Sequence, residues 1–326
     1  MPNIILLAAI LCSVATISRS KSTERCDICE CKMLKSELLL NCSDVPPRSS
    51  ENSIRLPYPQ SYSSYPFDTI QAEFNRNKIK ILPRLHIEDL RELSLEENEI
   101  PDIEPGTFMR LKYLKYLSLK HNFIKTLHEK SFQGLLKLET LELSHNDIVE
   151  FNPDTFMELK QLKSLSMSYN KLTSLTGKCF SNSIQTLDLS FNNISKIDNE
   201  VFDSTVSLAV INLSHNNLSA ISTFTFISMR SLTTLDLSYN NIYKIEPNSF
   251  ANLNSLVKLS FSHNKLENLE EKTEFPMGIK IFDASNNFFT DISERILATN
   301  SLQELYMQHN NLKSAVIREG SKLKVS

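Results

Sequence analysis

The chain has no tryptophan and only 5 glycines in 326 residues. So little glycine leaves no glycine-rich phosphate loop, and no G-x-S-x-G nucleophile turn occurs. Beyond the first 17 residues no apolar run is long enough to cross a bilayer, and no hydrophobic tail marks a lipid anchor. A basic excess is also missing: 35 Lys and Arg face 38 Asp and Glu, a formal net charge of -3. That balance argues against a nucleic-acid binder. No cysteine follows Cys179. These absences leave no signature of an enzyme, a cofactor site or a membrane span.

What the chain does have is repetition. In LTTLDLSYNNIYKIEPNSFANL, residues 232–253, leucines stand first, fourth and sixth, asparagine ninth and phenylalanine nineteenth. Aligned on the ninth position, eleven copies follow one another. Their asparagines are Asn77, Asn98, Asn122, Asn146, Asn170, Asn192, Asn216, Asn240, Asn264, Asn287 and Asn310. Most steps are 23 or 24 residues, with 21 after Asn77 and 22 after Asn170. Positions three to seven should form a short strand whose alternate side chains, such as Leu235 and Leu237, point inward. One repeat cannot bury its leucines alone, so neighbours must stack. The asparagine side chain, both donor and acceptor, should bond the backbone of its own rung and the next. Phe108, Phe132, Phe156, Phe180, Phe202, Phe226 and Phe250 should build a second apolar column, an aromatic spine.

This is the LxxLxLxxNxL leucine-rich-repeat pattern. The 24-residue period and the Phe column resemble the "typical" subclass of Toll-like, Slit-like and chaoptin-like extracellular proteins. The resemblance implies an α/β fold. It is a right-handed solenoid, or horseshoe, with a parallel β-sheet on the concave face and an irregular or short-helical convex side. It fixes no function.

The expected domains are a secretory signal at 1–20, an N-terminal cap with an insert at 21–68, the repeats at 69–313 and a polar tail at 314–326. Residues 4–17 are apolar but short for a span, which suits a cleaved signal, the alternative being an uncleaved anchor. Cys26, Cys29, Cys31 and Cys42 could hold zinc, but in a secreted chain they read as a disulfide cap over the first rung. The resemblance implies Cys26–Cys31 and Cys29–Cys42. The Pro-, Ser- and Tyr-rich stretch 43–68 is either an extension of the cap or a contact loop bearing Tyr58, Tyr62 and Tyr65. Cys179, in a column of small residues, is read as a semi-buried free thiol, the alternative being an intermolecular disulfide. The last rung lacks a cysteine cover, which leaves three readings: a fragment of a longer chain, a partner docked on the end, or end-to-end self-association as a homodimer through the C-terminal end, of which the last is carried forward as the expectation.

Four N-x-[ST] sequons occur at Asn41, Asn193, Asn212 and Asn217, with Asn193 and Asn217 best placed for glycans. Five histidines share position eight: His121, His145, His215, His263 and His309. A metal held with Glu142 is conceivable, but SHN and SYN are ordinary wording of this repeat, so neither metal nor catalysis is expected. The binding surface should be positions three, five, seven and eight of the concave face. Its acids are Glu73, Glu92, Glu96, Glu97, Glu142, Asp188, Asp236, Asp283 and Glu304; its bases are Arg76, Lys120 and Lys258. Glu92, Glu96 and Glu97, beside Glu73, are the densest group. They are either ordinary solubilising charge or a docking face for a basic protein. Tyr116, Tyr169, Phe191, Tyr239 and Tyr306 add aromatic anchors. The expected function is that of a secreted protein-binding protein, a soluble recognition protein, co-receptor or decoy. The alternative is a matrix or adhesion protein.

Overall fold

The computed structural model describes residues 23–25, 30–34, 37–44, 69–82, 85, 89–269, 275–292, 296, 299–313 and 324–325. The signal, Cys26, Cys29 and the insert from 45 to 68 lie outside them, as does the side chain of Cys31. The chain forms two compact units, residues 1–162 and 163–326.

In the N-terminal unit, β1 (Thr23–Arg25), β2 (Glu30–Leu34) and β3 (Glu37–Asn41) pair antiparallel in chain order. β4 (Thr69–Glu73) then joins β3 in parallel, and β5 (Leu90–Ser94) joins β4. β6 (Tyr116–Ser118) follows; beyond a short β7 (Thr126–Leu127), β8 (Thr140–Glu142) extends the same parallel row. β7 pairs with β9 (Glu150–Phe151) on the loop side. Next to it, Pro153–Phe156 makes one 3-10 turn capped by Asn152, whose Oδ1 accepts from the Asp154 N–H. Cys42 is buried and disulfide-bonded, and its carbonyl accepts the first ladder bond, from Asn77 Nδ2 at 2.7 Å. Gly134, at φ +97°, lies so close to the Met109 backbone that a Cβ there would stand 2.5 Å from it. The loop side closes at that point only with glycine.

In the C-terminal unit the strand row is β10 (Ser164–Ser166), β12 (Thr186–Asp188), β14 (Val210–Asn212), β16 (Thr234–Asp236), β18 (Lys258–Ser260), β19 (Ile281–Asp283) and β20 (Glu304–Tyr306). All pair in parallel, in one register: Leu165, Leu187, Ile211, Leu235, Leu259, Phe282 and Leu305 stand side by side. The loop side carries two small pairs, β11 (Ser174–Leu175) with β13 (Lys196–Ile197), and β15 (Ala220–Ile221) with β17 (Lys244–Ile245). β21 (Lys324–Val325), from the tail expected to be merely polar, pairs with β20. The end-to-end contact expected there would have to form around this strand.

Each unit is built on the same interior plan. The strand leucines are buried, each worth roughly 1.5–3 kcal/mol. Under the loop side the phenylalanines stack, Phe108–Phe132 at 6.4 Å and Phe132–Phe156 at 6.0 Å in the first unit. In the second, Phe180, Phe202, Phe226 and Phe250 follow at 5.9, 6.3 and 6.4 Å. Within each unit the asparagine ladder differs from expectation in direction, because the side chains bond their own rung and the preceding one. Asn216 Nδ2 donates to Leu213 O of its own rung and Leu189 O of the rung before, while its Oδ1 accepts from the Ile194 N–H. The shortened repeat after Phe180 closes by a turn in which the Ser181 carbonyl accepts from the Ile184 N–H, with the Ser181 and Ser183 hydroxyls 2.7 Å apart. Cys179 is free and fully buried rather than semi-buried, and burial pushes its thiol up to about 12.

Candidate protein-binding surface

The strand pairing does not stop where the strands end. Past the strands within each unit, the N–H of position eight donates to the position-seven carbonyl of the next rung, as His215 does to Ser238 and Tyr239 to Ser262. Position eight itself is left-handed in every repeat, at φ 52–57° from Arg76 to His309. That conformation is rare for anything but glycine, and for a bulky residue it is a strained one. It turns the chain so that the next residue, the ladder asparagine, points inward while position eight points out. Adjacent rungs are about 4.8 Å apart, so the position-eight side chains of neighbours touch. Position seven, expected on the open face, is instead buried wherever it is serine: Ser144, Ser168, Ser190, Ser214, Ser238, Ser262 and Ser285.

In the N-terminal unit this column is ionic. Asn41 pairs with Glu73, which makes Asp44, at φ 60°, the column's first member. Arg76 bonds both Asp44 oxygens, Nε to Oδ1 at 2.7 Å and Nη2 to Oδ2 at 2.8 Å, and reaches Glu97 at 3.6 Å. Those bonds hold the Asp44 carboxyl below the usual range. His121 and His145 continue the column as stacked rings 4.2 Å apart. Part of the rest of the face is paired as well. Glu96 accepts from the Ser118 hydroxyl at 2.6 Å, and Lys120 meets Glu142 at 3.2 Å. Glu73 and Glu92, half-buried on β4 and β5, have no ion pair among the described residues. Tyr116 is half-buried on β6, and burial raises its phenol. The dense acidic group is thus partly neutralised from within.

In the C-terminal unit the same column is aromatic. Tyr169, Phe191, His215, Tyr239 and His263 form one continuous stack, with centroid spacings of 4.1, 3.9, 4.1 and 4.0 Å. Their planes lie within 8–12° of each other. Tyr169, Phe191 and Tyr239 are 44%, 37% and 45% exposed. Beside this ridge, position five carries Asp188, Asn212, Asp236 and Asp283. Each uses its Oδ1 to accept from the N–H two residues on, at 2.9–3.0 Å. Aspartate in the LDL wording therefore has a structural job, closing the turn, while its second oxygen has no cation partner among the described residues. Tyr306 lies apart from the ridge, its hydroxyl donating to Glu304 at 3.0 Å. Among the described residues no three His, Cys, Asp or Glu side chains could hold a metal ion.

The sequons separate by geometry. Asn193 and Asn217 are exposed at position ten of adjacent rungs. Asn212 and Asn41 are half-buried, with Oδ1 already accepting from Ser214 and Ser43. Sequence reasoning found the residues of the ridge but not the ridge. The available signal was that every position-eight residue precedes the ladder asparagine, where Asn286 and five histidines, types that tolerate φ > 0, recur.

The leucine rich repeat family pattern matches residues 88–148, 137–183, 182–242 and 230–275. Over 74 residues the chain is 35% identical to Tsukushi-A of Xenopus laevis, a stretch covering 21% of this chain and 21% of that protein. The match thus spans about a fifth of that curated relative. Two solved structures share the fold. One is the Drosophila Toll–Spatzle complex, with a TM-score of 0.72 and 23% identity over 78% of this chain and 38% of the matched one. The other is an octameric complex of Latrophilin 3, Unc5D and the leucine-rich-repeat FLRT2, with a TM-score of 0.73 and 18% identity over 91% of both chains.

Proposed function

The chain belongs to the leucine-rich-repeat family, and we propose that it is a secreted protein that binds another protein through its strand face. The observation behind this reading is the exposed aromatic ridge of the C-terminal unit. Rings anchored on hydrogen-bonded backbone lose little freedom when a partner covers them, and Tyr is a common binding hot spot. Toll and FLRT2, which share the fold, stand in complexes with other proteins, which supports a binding role. Within that role we propose a soluble recognition protein, co-receptor or decoy, with glycans on Asn193 and Asn217. No helix among the described residues is long and apolar enough to cross a membrane.

The test is an unbiased screen of the purified chain against extracellular proteins, repeated with Phe191→Asn and Tyr239→Asn together. Asparagine occupies the same left-handed position at Asn286, so the backbone is kept. A specific hit lost in the double variant supports the reading; no hit for the wild type removes it. Recovery of the expressed chain in the insoluble matrix rather than the medium would favour the adhesion role. Enzymatic deglycosylation should shift the mass of the wild type by two glycans, and that of Asn193→Gln by one.

A further inference from the structure

We propose that the C-terminal unit reads an extended, proline-rich basic segment of its partner, in which a lysine or arginine recurs every third residue. The inference rests on the protein-binding reading above and names the ligand chemistry. Two features of one face point to it.

The first is spacing. Asp188, Asp236 and Asp283 stand in one register on β12, β16 and β19, with Asn212 and Ser260 between them. Successive carboxylates are therefore two rungs apart, about 9.6 Å. A polyproline II chain advances about 3.1 Å per residue with threefold symmetry, so every third side chain faces the same way at about 9.3 Å intervals. A β-strand fits less well, since its third residue points to the opposite side. Each carboxylate is pre-set, because Oδ1 is held by the backbone N–H of Ser190, Ser238 or Ser285 while Oδ2 is left for a partner. Lys258 is the only lysine or arginine at positions three, five, seven and eight among the described residues of this unit.

The second is the ridge. Within the stack, ring faces cover one another at 3.9–4.1 Å, so sugars or nucleobases cannot stack between them. What remains outward is ring edge: apolar and weakly positive at the C–H rim. Edges suit compact aliphatic rings and electron-rich carbonyls. A polyproline II chain, whose carbonyls are not used internally, supplies both.

The probe is a fluorescent (Pro-Pro-Lys)4 peptide, compared by anisotropy with an isomer of the same composition whose lysines are consecutive. The wild type should prefer the regular peptide severalfold at low salt. Asp188→Asn, Asp236→Asn and Asp283→Asn together should weaken it about tenfold, as three ion pairs to half-buried carboxylates are lost. The native Asn212 shows that asparagine keeps the turn. Equal binding of the two isomers, or an unaffected triple variant with unchanged thermal midpoint, overturns the inference. An empty protein screen would remove the protein-binding reading alone, because the peptide series is measured independently of it.

Discussion

In the N-terminal unit the left-handed column runs Asp44, Arg76, Glu97, His121, His145; in the C-terminal unit it runs Tyr169, Phe191, His215, Tyr239, His263, Asn286, His309. The backbone is the same in both. What differs is how neighbours about 4.8 Å apart satisfy one another. Opposite charges alternate in the first unit, and planar rings stack in the second. Identical charges in succession would repel, and the column places no carboxylate beside a carboxylate and no Lys or Arg beside another. The consequence lies on the strand face. Where the column is ionic, some of the nearby acids are also drawn into pairs, as Glu142 is by Lys120. Where it is aromatic, the carboxylates at position five keep an oxygen for something else. Total acidity is therefore a poor guide to where a basic ligand docks; unpaired, oriented acidity is a better one.

The comparison requires that the interiors be equivalent, and the largest expected effect tests that. Phe156→Ala in the first unit and Phe226→Ala in the second each remove a fully buried spine ring. Each should cost about 3–5 kcal/mol. Denaturant titrations should give the two variants closely similar losses. A loss in one unit only would mean that more than the surface column distinguishes them.

A middle-sized effect separates the columns themselves. Phe191→Asn removes two stacked contacts, at 4.1 and 3.9 Å, and should cost about 1 kcal/mol, since each such pair is worth roughly 0.5–1.5 kcal/mol and asparagine relieves some backbone strain. The loss should be the same at low and high salt. Arg76→Asn, at the matching position of the first unit, should lower the thermal midpoint only at low ionic strength, because its partners are exposed and screened by salt. Identical salt dependence in the two variants would erase the distinction between ionic and aromatic columns.

The fold was legible because its signal is periodic. Leu235 and Leu237, Phe226 and Asn240 each recur at a fixed step, and each is buried where the step puts it. The direction of the ladder bonds was not legible, since an asparagine at Asn216 has donors and an acceptor that could serve either neighbour. Position seven misled because strand alternation was carried one residue too far: the chain turns after Asp236, and Ser238 is drawn inward. The ridge was hidden for a related reason. Tyr169 and Phe191 are bulky types that avoid a left-handed backbone, so nothing in their identity announces it. Nor does a list of acids say which ones are paired. That Arg76 turns to Asp44 and Glu97 depends on rung register, a tertiary fact.

The smallest effect sharpens the comparison at the one place where the first unit's column also stacks. His145 lies against His121, and its basicity is lowered by burial first, then by His121 and Lys120. Lys120 is in turn held by Glu142, and its own ammonium is stabilised by that carboxylate. In the unfolded chain a histidine titrates near about 6.5, so on acidification the unfolded state takes up the proton first. The contribution to stability is then fully present above about pH 6.5 and is lost as the pH falls toward the lower folded value. The thermal midpoint should therefore fall slightly more between pH 7 and pH 5.5 in the wild type than in His145→Asn, where the left-handed backbone is kept and the titrating group is gone. His121→Asn removes the ring stacked on His145, and with it part of the cover as well as the neighbouring charge, so it should reduce the slope without abolishing it. A slope in His121→Asn equal to that of the wild type would show that the stack does not set the basicity of His145.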